Sequence, residues 1–120
     1  TDLHGHSMNF PVWDLATTMS KLLSVGMPFD KVVNAVTHAP AEVIKLDMEN
    51  RLSVGQRADF TVFDLVDSDL EATDSNGDVS QLRQLFEPRY SVIGSEAITA
   101  SRYIPRARKL VRHSHGYSYR

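Results

Sequence analysis

Apolar positions follow two regimes along the chain. Up to about residue 48 they recur at helical spacing. Leu15, Met19, Leu22 and Leu23 stand at i, i+4, i+7 and i+8, one stripe along one helix. Asp14 precedes the stripe as a helix N-cap, and Gly26 follows it where a helix C-terminal glycine belongs. Phe29, Val32, Val33 and Val36 form a second stripe, opened by Pro28 and Asp30. Pro40 suits the first turn of a short third helix carrying Ala41, Ile44 and the nearby Leu46. Beyond residue 49 the spacing changes. Phe60 and Val62 alternate with Phe63 and Leu65, a strand with apolar side chains on both faces. Asp74-Ser75-Asn76-Gly77-Asp78 reads as a turn, with Asn-Gly its strongest signal. Tyr90 to Ile93 and Ala97 to Thr99 read as two strands joined through Gly94. Pro88 predicts an edge or strand-entry position, because it has no N–H to give a ladder.

The pattern predicts an α/β chain in three parts: residues 1–48 mostly helical, 49–101 mostly strand, and a tail at 102–120. It contains no repeat and no low-complexity tract. A helix stripe must be buried against something. Before the helices the only strand candidate is a three-residue start, so the first part holds too little sheet to cover them. The chain is therefore expected to be incomplete as a stand-alone domain, with the stripe around Leu15, Met19 and Leu22 left exposed or covered by other sequence.

Composition narrows the class. The 120 residues are 42% hydrophobic and 23% charged, the balance of a globular protein. The absence of cysteine excludes disulfides and thiolate metal sites. No apolar run approaches the ~20 residues of a membrane-spanning helix. The start, Thr1-Asp2-Leu3-His4, lacks the charged-then-apolar order of a signal peptide. These features lead us to expect a cytoplasmic protein with no membrane partner. The net charge of −2 hides an asymmetry: Arg102, Arg106, Arg108, Lys109, Arg112 and Arg120 make residues 102–120 +6, with no acid among them, and leave −8 on the rest. Tyr103, Tyr117 and Tyr119 lie among these charges, a combination that can serve nucleic-acid binding. No nucleic-acid motif accompanies it, so the reading preferred here is a tail that packs on acidic surface of its own protein.

Candidate chemistry is densest at Asp2-Leu3-His4-Gly5-His6. Alternate residues of a strand share a face, so Asp2, His4 and His6 are placed to converge on a metal such as zinc, with carboxylate and imidazole donors. The competing reading makes the histidines exposed loop residues and Asp2 a cap for its own loop. His38 lies between helices beside Ala39-Pro40 and reads as structural. His113 and His115 repeat the His-x-His spacing in the tail. There is no phosphate-binding glycine loop and no Gly-x-Ser-x-Gly elbow.

Three stretches, in order, resemble the amidohydrolase superfamily. The first is Thr1-Asp2-Leu3-His4 with Ser7-Met8-Asn9, Pro11-Val12, Asp14-Leu15 and Thr17-Thr18-Met19-Ser20-Lys21. The second is Val36-Thr37-His38-Ala39-Pro40-Ala41, similar to the family's T-x-x-P-A. The third, Leu52-Ser53-Val54-Gly55-Gln56-Arg57-Ala58-Asp59-Phe60-Thr61-Val62, is similar to its L-x-x-G-x-x-A-D-F-x-V. The likeness is to the amidohydrolase/deacetylase branch, a dihydroorotase-like group. It implies the last strand and helices of a metal-dependent (β/α)₈ barrel at 1–48, followed at 49–101 by the C-terminal part of a small β-sandwich. It implies a hydrolase of amide, cyclic amide or ester bonds with one or two divalent ions, zinc foremost, at the strand ends. Asp2 then stands where the family's eighth-strand aspartate serves as catalytic residue and metal ligand. His4 becomes a substrate contact, and His6 departs from the pattern. The implied partners are a small-molecule substrate and the remaining barrel of the same chain, with a homo-oligomer left open. The segment alone is expected to be inactive. The alternative is an autonomous small metal- or nucleic-acid-binding protein, and the sequence upstream of Thr1 discriminates the two.

Overall fold

The computed structural model describes residues 14–46, 52–73, 76–101, 110–113 and 116–119. Three helices come first: α1 (Leu15–Ser24), α2 (Phe29–Val36) and α3 (His38–Val43). Strands β1 (Asp59–Thr73), β2 (Val79–Ile93) and β3 (Glu96–Thr99) follow as an antiparallel sheet in the order β1-β2-β3. β4 (Leu110–His113) and β5 (Gly116–Tyr119) pair with each other in a separate hairpin.

Local chemistry sets the helix ends. The Asp14 carboxylate accepts the Thr17 N–H at 2.6 Å, taking one of the donors that a helix start leaves unpaired. At the other end Gly26 adopts φ +92°. Its N–H donates to the Leu23 carbonyl and that of Met27 to the Leu22 carbonyl, both at 3.0 Å, a Schellman closure. α3 closes in the same way, with Leu46 N–H to Ala41 at 2.8 Å and Lys45 N–H to Glu42 at 3.1 Å. Here the left-handed position, φ +57°, is held by Lys45 and not by glycine.

The β1–β2 hairpin is far longer than the apolar run at residues 60–65 predicts. It pairs from Asp59 opposite Ile93 to Thr73 opposite Val79. Gly77, in the expected turn, has φ +91°. Two irregularities shape it. Arg89 is skipped where Val62 faces Tyr90 and Phe63 faces Pro88. Ser68 and Asp69 bulge opposite Arg83, and the Ser68 hydroxyl there accepts the Leu70 N–H at 2.9 Å. β2 is the central strand, yet β3 pairs only with Tyr90 to Ile93. Pro88 thus lies just past the end of β3, where β2 is paired on one side, and its missing N–H costs no ladder bond.

Two cores result. Ala16, Met19, Val32 and Phe86 bury one another, with Leu22, Leu23, Met27, Val36 and Phe63 packed around them. Phe86 is its hub: the Phe29 ring stacks on it at 5.6 Å and Phe63 meets it edge-on at 5.8 Å. Ala72, Leu82 and Leu85 form a second cluster along the hairpin, flanked by Val66 and Leu70. Burial of a side chain the size of Met19 or Phe86 contributes about 1.5–3 kcal/mol.

One expectation needs correction. The α1 stripe is not left without cover. Met19 is buried and Leu22 and Leu23 are half-buried, because β2 supplies Phe86 across the helix face; only Leu15 stays 47% exposed. The pattern argument missed this cover because the sheet lies after the helices in sequence. Large exposed apolar side chains occur elsewhere, at Val25, Val43, Ile44, Leu52 and Val54. Among the described residues no helix is long and apolar enough to cross a membrane.

Candidate functional site

Asp2, His4 and His6 lie outside the described residues. The nearest described structure downstream is the start of α1, and its anchoring is well defined. Ser20, fully buried, donates its hydroxyl to the Ala16 carbonyl at 2.8 Å and accepts the Phe86 N–H at 3.0 Å. Phe86 lies on the stretch of β2 that β3 does not reach. The helix therefore covers that side of the strand and satisfies with a side chain a backbone donor that would otherwise be buried unpaired. A single hydroxyl ties positions 66 residues apart. Beside it Thr17 is also buried, and its hydroxyl finds no hydrogen-bond partner. Lys21, on the same helix, has its pKa lowered from the ordinary lysine value by partial burial, which disfavours the ammonium form.

The third motif has a structural explanation. Gly55 takes φ +90°, a backbone state that L side chains rarely adopt. Arg57 then reaches the Asp59 carboxylate, Nε lying 2.8 Å from Oδ2 and 2.9 Å from Oδ1. The same carboxylate accepts the Gly94 N–H at 3.1 Å, and the Ala58 carbonyl accepts it at 2.6 Å. Arg57, Asp59 and Gly94 thus clasp the start of β1 to the β2–β3 turn. The motif's aspartate acts here as a fastener between two strands.

The other histidines divide as follows. His38 is exposed, with Nδ1 3.4 Å from the Thr37 hydroxyl, which itself donates to the Val33 carbonyl at 2.7 Å. His38 thus opens α3 at the junction with α2. His113 ends β4 opposite Gly116, and His115 lies outside the described residues. Among the described residues no three His, Cys, Asp or Glu side chains gather as a metal site would require. Sequence reasoning missed Ser20, Thr17 and Phe86. The one available signal was that Ser20 directly follows the stripe residue Met19, which puts a polar group at the edge of the buried face.

Residues 52–97 match a family model described as a deacetylase-like composite domain, the segment built around the Arg57–Asp59–Gly94 clasp and the long hairpin. Over all 120 residues the chain is 87% identical to a deacetylase of Brucella anthropi and 86% identical to one of Agrobacterium fabrum. It is 39% identical over 88 residues, 73% of the chain, to a deacetylase of Enterococcus faecalis, of which it covers 24%. The chain spans 30% of the length of the first two relatives. Among solved structures, a dihydroorotase superposes over 89% of this chain and 28% of its own, with TM-score 0.85 and 85% identity. An adenine deaminase superposes over 83% of this chain and 27% of its own, with TM-score 0.74 and 36% identity. The chain is thus similar to a segment, about 30% of the length, of enzymes named deacetylases, and its structural neighbours are a dihydroorotase and an adenine deaminase of the amidohydrolase superfamily.

Proposed function

We propose that the protein is a metal-dependent hydrolase that removes an acyl group, acetyl foremost, from an amide, or opens a cyclic amide or ester. In this reading residues 1–48 complete a (β/α)₈ barrel, 49–101 form the C-terminal part of its β-sandwich, and 102–120 are a basic tail. The remaining barrel comes from the rest of the same chain. The observation that carries the reading is near-identity, 87% and 86% over the whole segment, to two deacetylases. The exposed apolar side chains of Val43, Ile44, Leu52 and Val54 support it, since surface of this kind is normally covered.

Asp2 is the residue assigned to chemistry. Its carboxylate is a hard oxygen donor that suits a divalent ion, and His4 and His6 offer imidazoles close by in sequence. In this reading the segment contributes one ligand, Asp2, and the rest of the barrel supplies the others. A divalent metal, when bound, supplies positive charge that polarises the scissile carbonyl and acidifies water. Asp2 accepts the proton of the attacking water and delivers it to the leaving nitrogen or oxygen, a step that needs its ionised form. His4 contacts the substrate.

The test is acetate release by the intact, metal-replete protein from a panel of N-acetyl and O-acetyl compounds and cyclic amides. Hydrolysis of one class, abolished by chelation and restored by zinc, is the expected result. A metal-replete protein inert on every class refutes the proposal.

A further inference from the structure

Asn76-Gly77 lies in the turn of the β1–β2 hairpin, and the same dipeptide is able to react. Asn76 is exposed. Gly77 belongs to neither strand: the last pair of the β1–β2 ladder is Thr73 opposite Val79, so the Gly77 amide stands outside that ladder. β3 pairs only with Tyr90 to Ile93, at the other end of the hairpin. Gly77 takes φ +91° and carries no β-carbon, so nothing on its own side chain shields the approach to its nitrogen.

The other asparagines supply an internal comparison. Asn9 precedes Phe10, Asn34 precedes Ala35 and Asn50 precedes Arg51; Asn76 alone precedes glycine. Asn34 is exposed as well, so exposure does not separate it from Asn76. Backbone freedom does. Asn34 lies within α2, where the peptide that follows it is held at helical geometry, and its carbonyl accepts the Thr37 N–H at 3.2 Å. The chain thus holds one asparagine whose next nitrogen is both unshielded and outside regular structure, and one exposed asparagine for which neither holds.

We infer that Asn76 is a site of covalent self-modification, by intramolecular deamidation through Gly77. The Gly77 nitrogen gives its proton to solvent base and attacks Asn76 Cγ. The N–Cγ bond forms, the Cγ–Nδ2 bond breaks, and Nδ2 leaves as ammonia with a proton from water. A five-membered cyclic imide results, and water opens it at either carbonyl. Opening at Cγ gives aspartate. Opening at the backbone carbonyl gives isoaspartate, with the chain now running through Cγ. No oxidant or reductant takes part. Either product sets a new carboxylate between Asp74 and Asp78 and makes the net charge of −2 more negative by one.

The test incubates the intact, folded protein at mildly alkaline pH and follows each asparagine peptide by mass spectrometry, where conversion of amide to acid adds about 1 Da. Asn76 is expected to convert at least about tenfold faster than Asn34, the scale on which alignment of reacting atoms sets a rate. The rate should rise with pH, because the nucleophile is the deprotonated Gly77 amide. The product should contain isoaspartate, read by an isoaspartate-specific methyltransferase assay. Asn76→Gln, which would have to close a larger ring, should stay unconverted over the same period. Conversion at Asn76 no faster than at Asn34 overturns the inference. So does conversion seen only in urea-unfolded protein, because the folded turn would then protect the site. Conversion to aspartate without isoaspartate also overturns it, since direct hydrolysis and not the cyclic imide would be the route.

Discussion

Ser20→Ala probes the junction on which the helices are mounted. The Ser20 hydroxyl is fully buried and does two things: it donates to its own helix at Ala16 and accepts the Phe86 N–H at 3.0 Å. Loss of the first bond costs little, because the Ala16 carbonyl lies within the helix ladder. Loss of the second leaves the Phe86 N–H facing a methyl group, since β3 ends before reaching it. Leaving one buried donor unpaired costs about 1–3 kcal/mol. Alanine returns up to roughly 0.5 kcal/mol through its better helix propensity. The net expectation is a loss of about 1–2 kcal/mol. In urea denaturation followed by circular dichroism, the midpoint should fall with the slope unchanged. Hydrogen exchange resolved to the Phe86 amide should show that amide losing protection beyond the global change, because its partner is gone. Ser20→Thr, which keeps the hydroxyl, should retain protection at Phe86 even if its extra methyl costs some packing. An unchanged midpoint together with unchanged protection at Phe86 in Ser20→Ala would refute the assignment of this hydroxyl as the tie between helix and strand.

Other substitutions test separate parts of the account. Lys45→Gly, at φ +57°, should stabilise by up to about 1 kcal/mol, seen as a higher Tm, because glycine removes the left-handed penalty. Gly26→Ala should destabilise by about 1–2 kcal/mol through backbone strain alone, since no atom lies within 4 Å of the added Cβ; a loss above ~3 kcal/mol in the melting analysis would mean an unrecognised contact. Phe86→Ala should cost about 3–5 kcal/mol in denaturant unfolding, because three rings and the α1 face meet there. Lys21 has a folded pKa below its unfolded value, so the unfolded state binds more protons between the two, and stability should rise with pH across that window up to about 10.5. The stability difference between wild type and Lys21→Met, measured along a pH series, should shrink over that same interval; a constant difference would contradict the burial effect.

Sequence revealed the local devices and concealed the tertiary ones. Asp14, Gly26 and Pro28 act on their own neighbours, so their roles were legible from spacing, and each was found in place. The extent of the β1–β2 hairpin was not legible. Asp67, Asp69 and Glu71 occupy its outer positions in unbroken alternation, but the inner set includes the polar Ser68, so the apolar run looked finished at Leu65. Pro88, read as an edge or strand-entry position, lies inside β2 where, among the described residues, only β1 pairs with it, which is the edge alternative. The cover over Met19 was invisible because Phe86 arrives 67 positions later. The Arg57–Asp59–Gly94 clasp gives the third motif a physical basis that its resemblance alone did not supply. Gly55 and Asp59 serve backbone geometry and turn closure, while the chemistry assigned to this segment rests on Asp2.

The assignment to Asp2 is tested most directly by Asp2→Asn in the intact enzyme, measured as kcat for acetyl release alongside metal content by elemental analysis. Asparagine keeps the shape of the side chain but cannot take the water's proton. The account predicts a fall in kcat of about 10²-fold or more, the usual scale of general acid–base catalysis, in a protein that remains folded and largely metal-loaded. Near-normal kcat in a folded, metal-loaded variant would contradict it and leave Asp2 as a cap for its own loop.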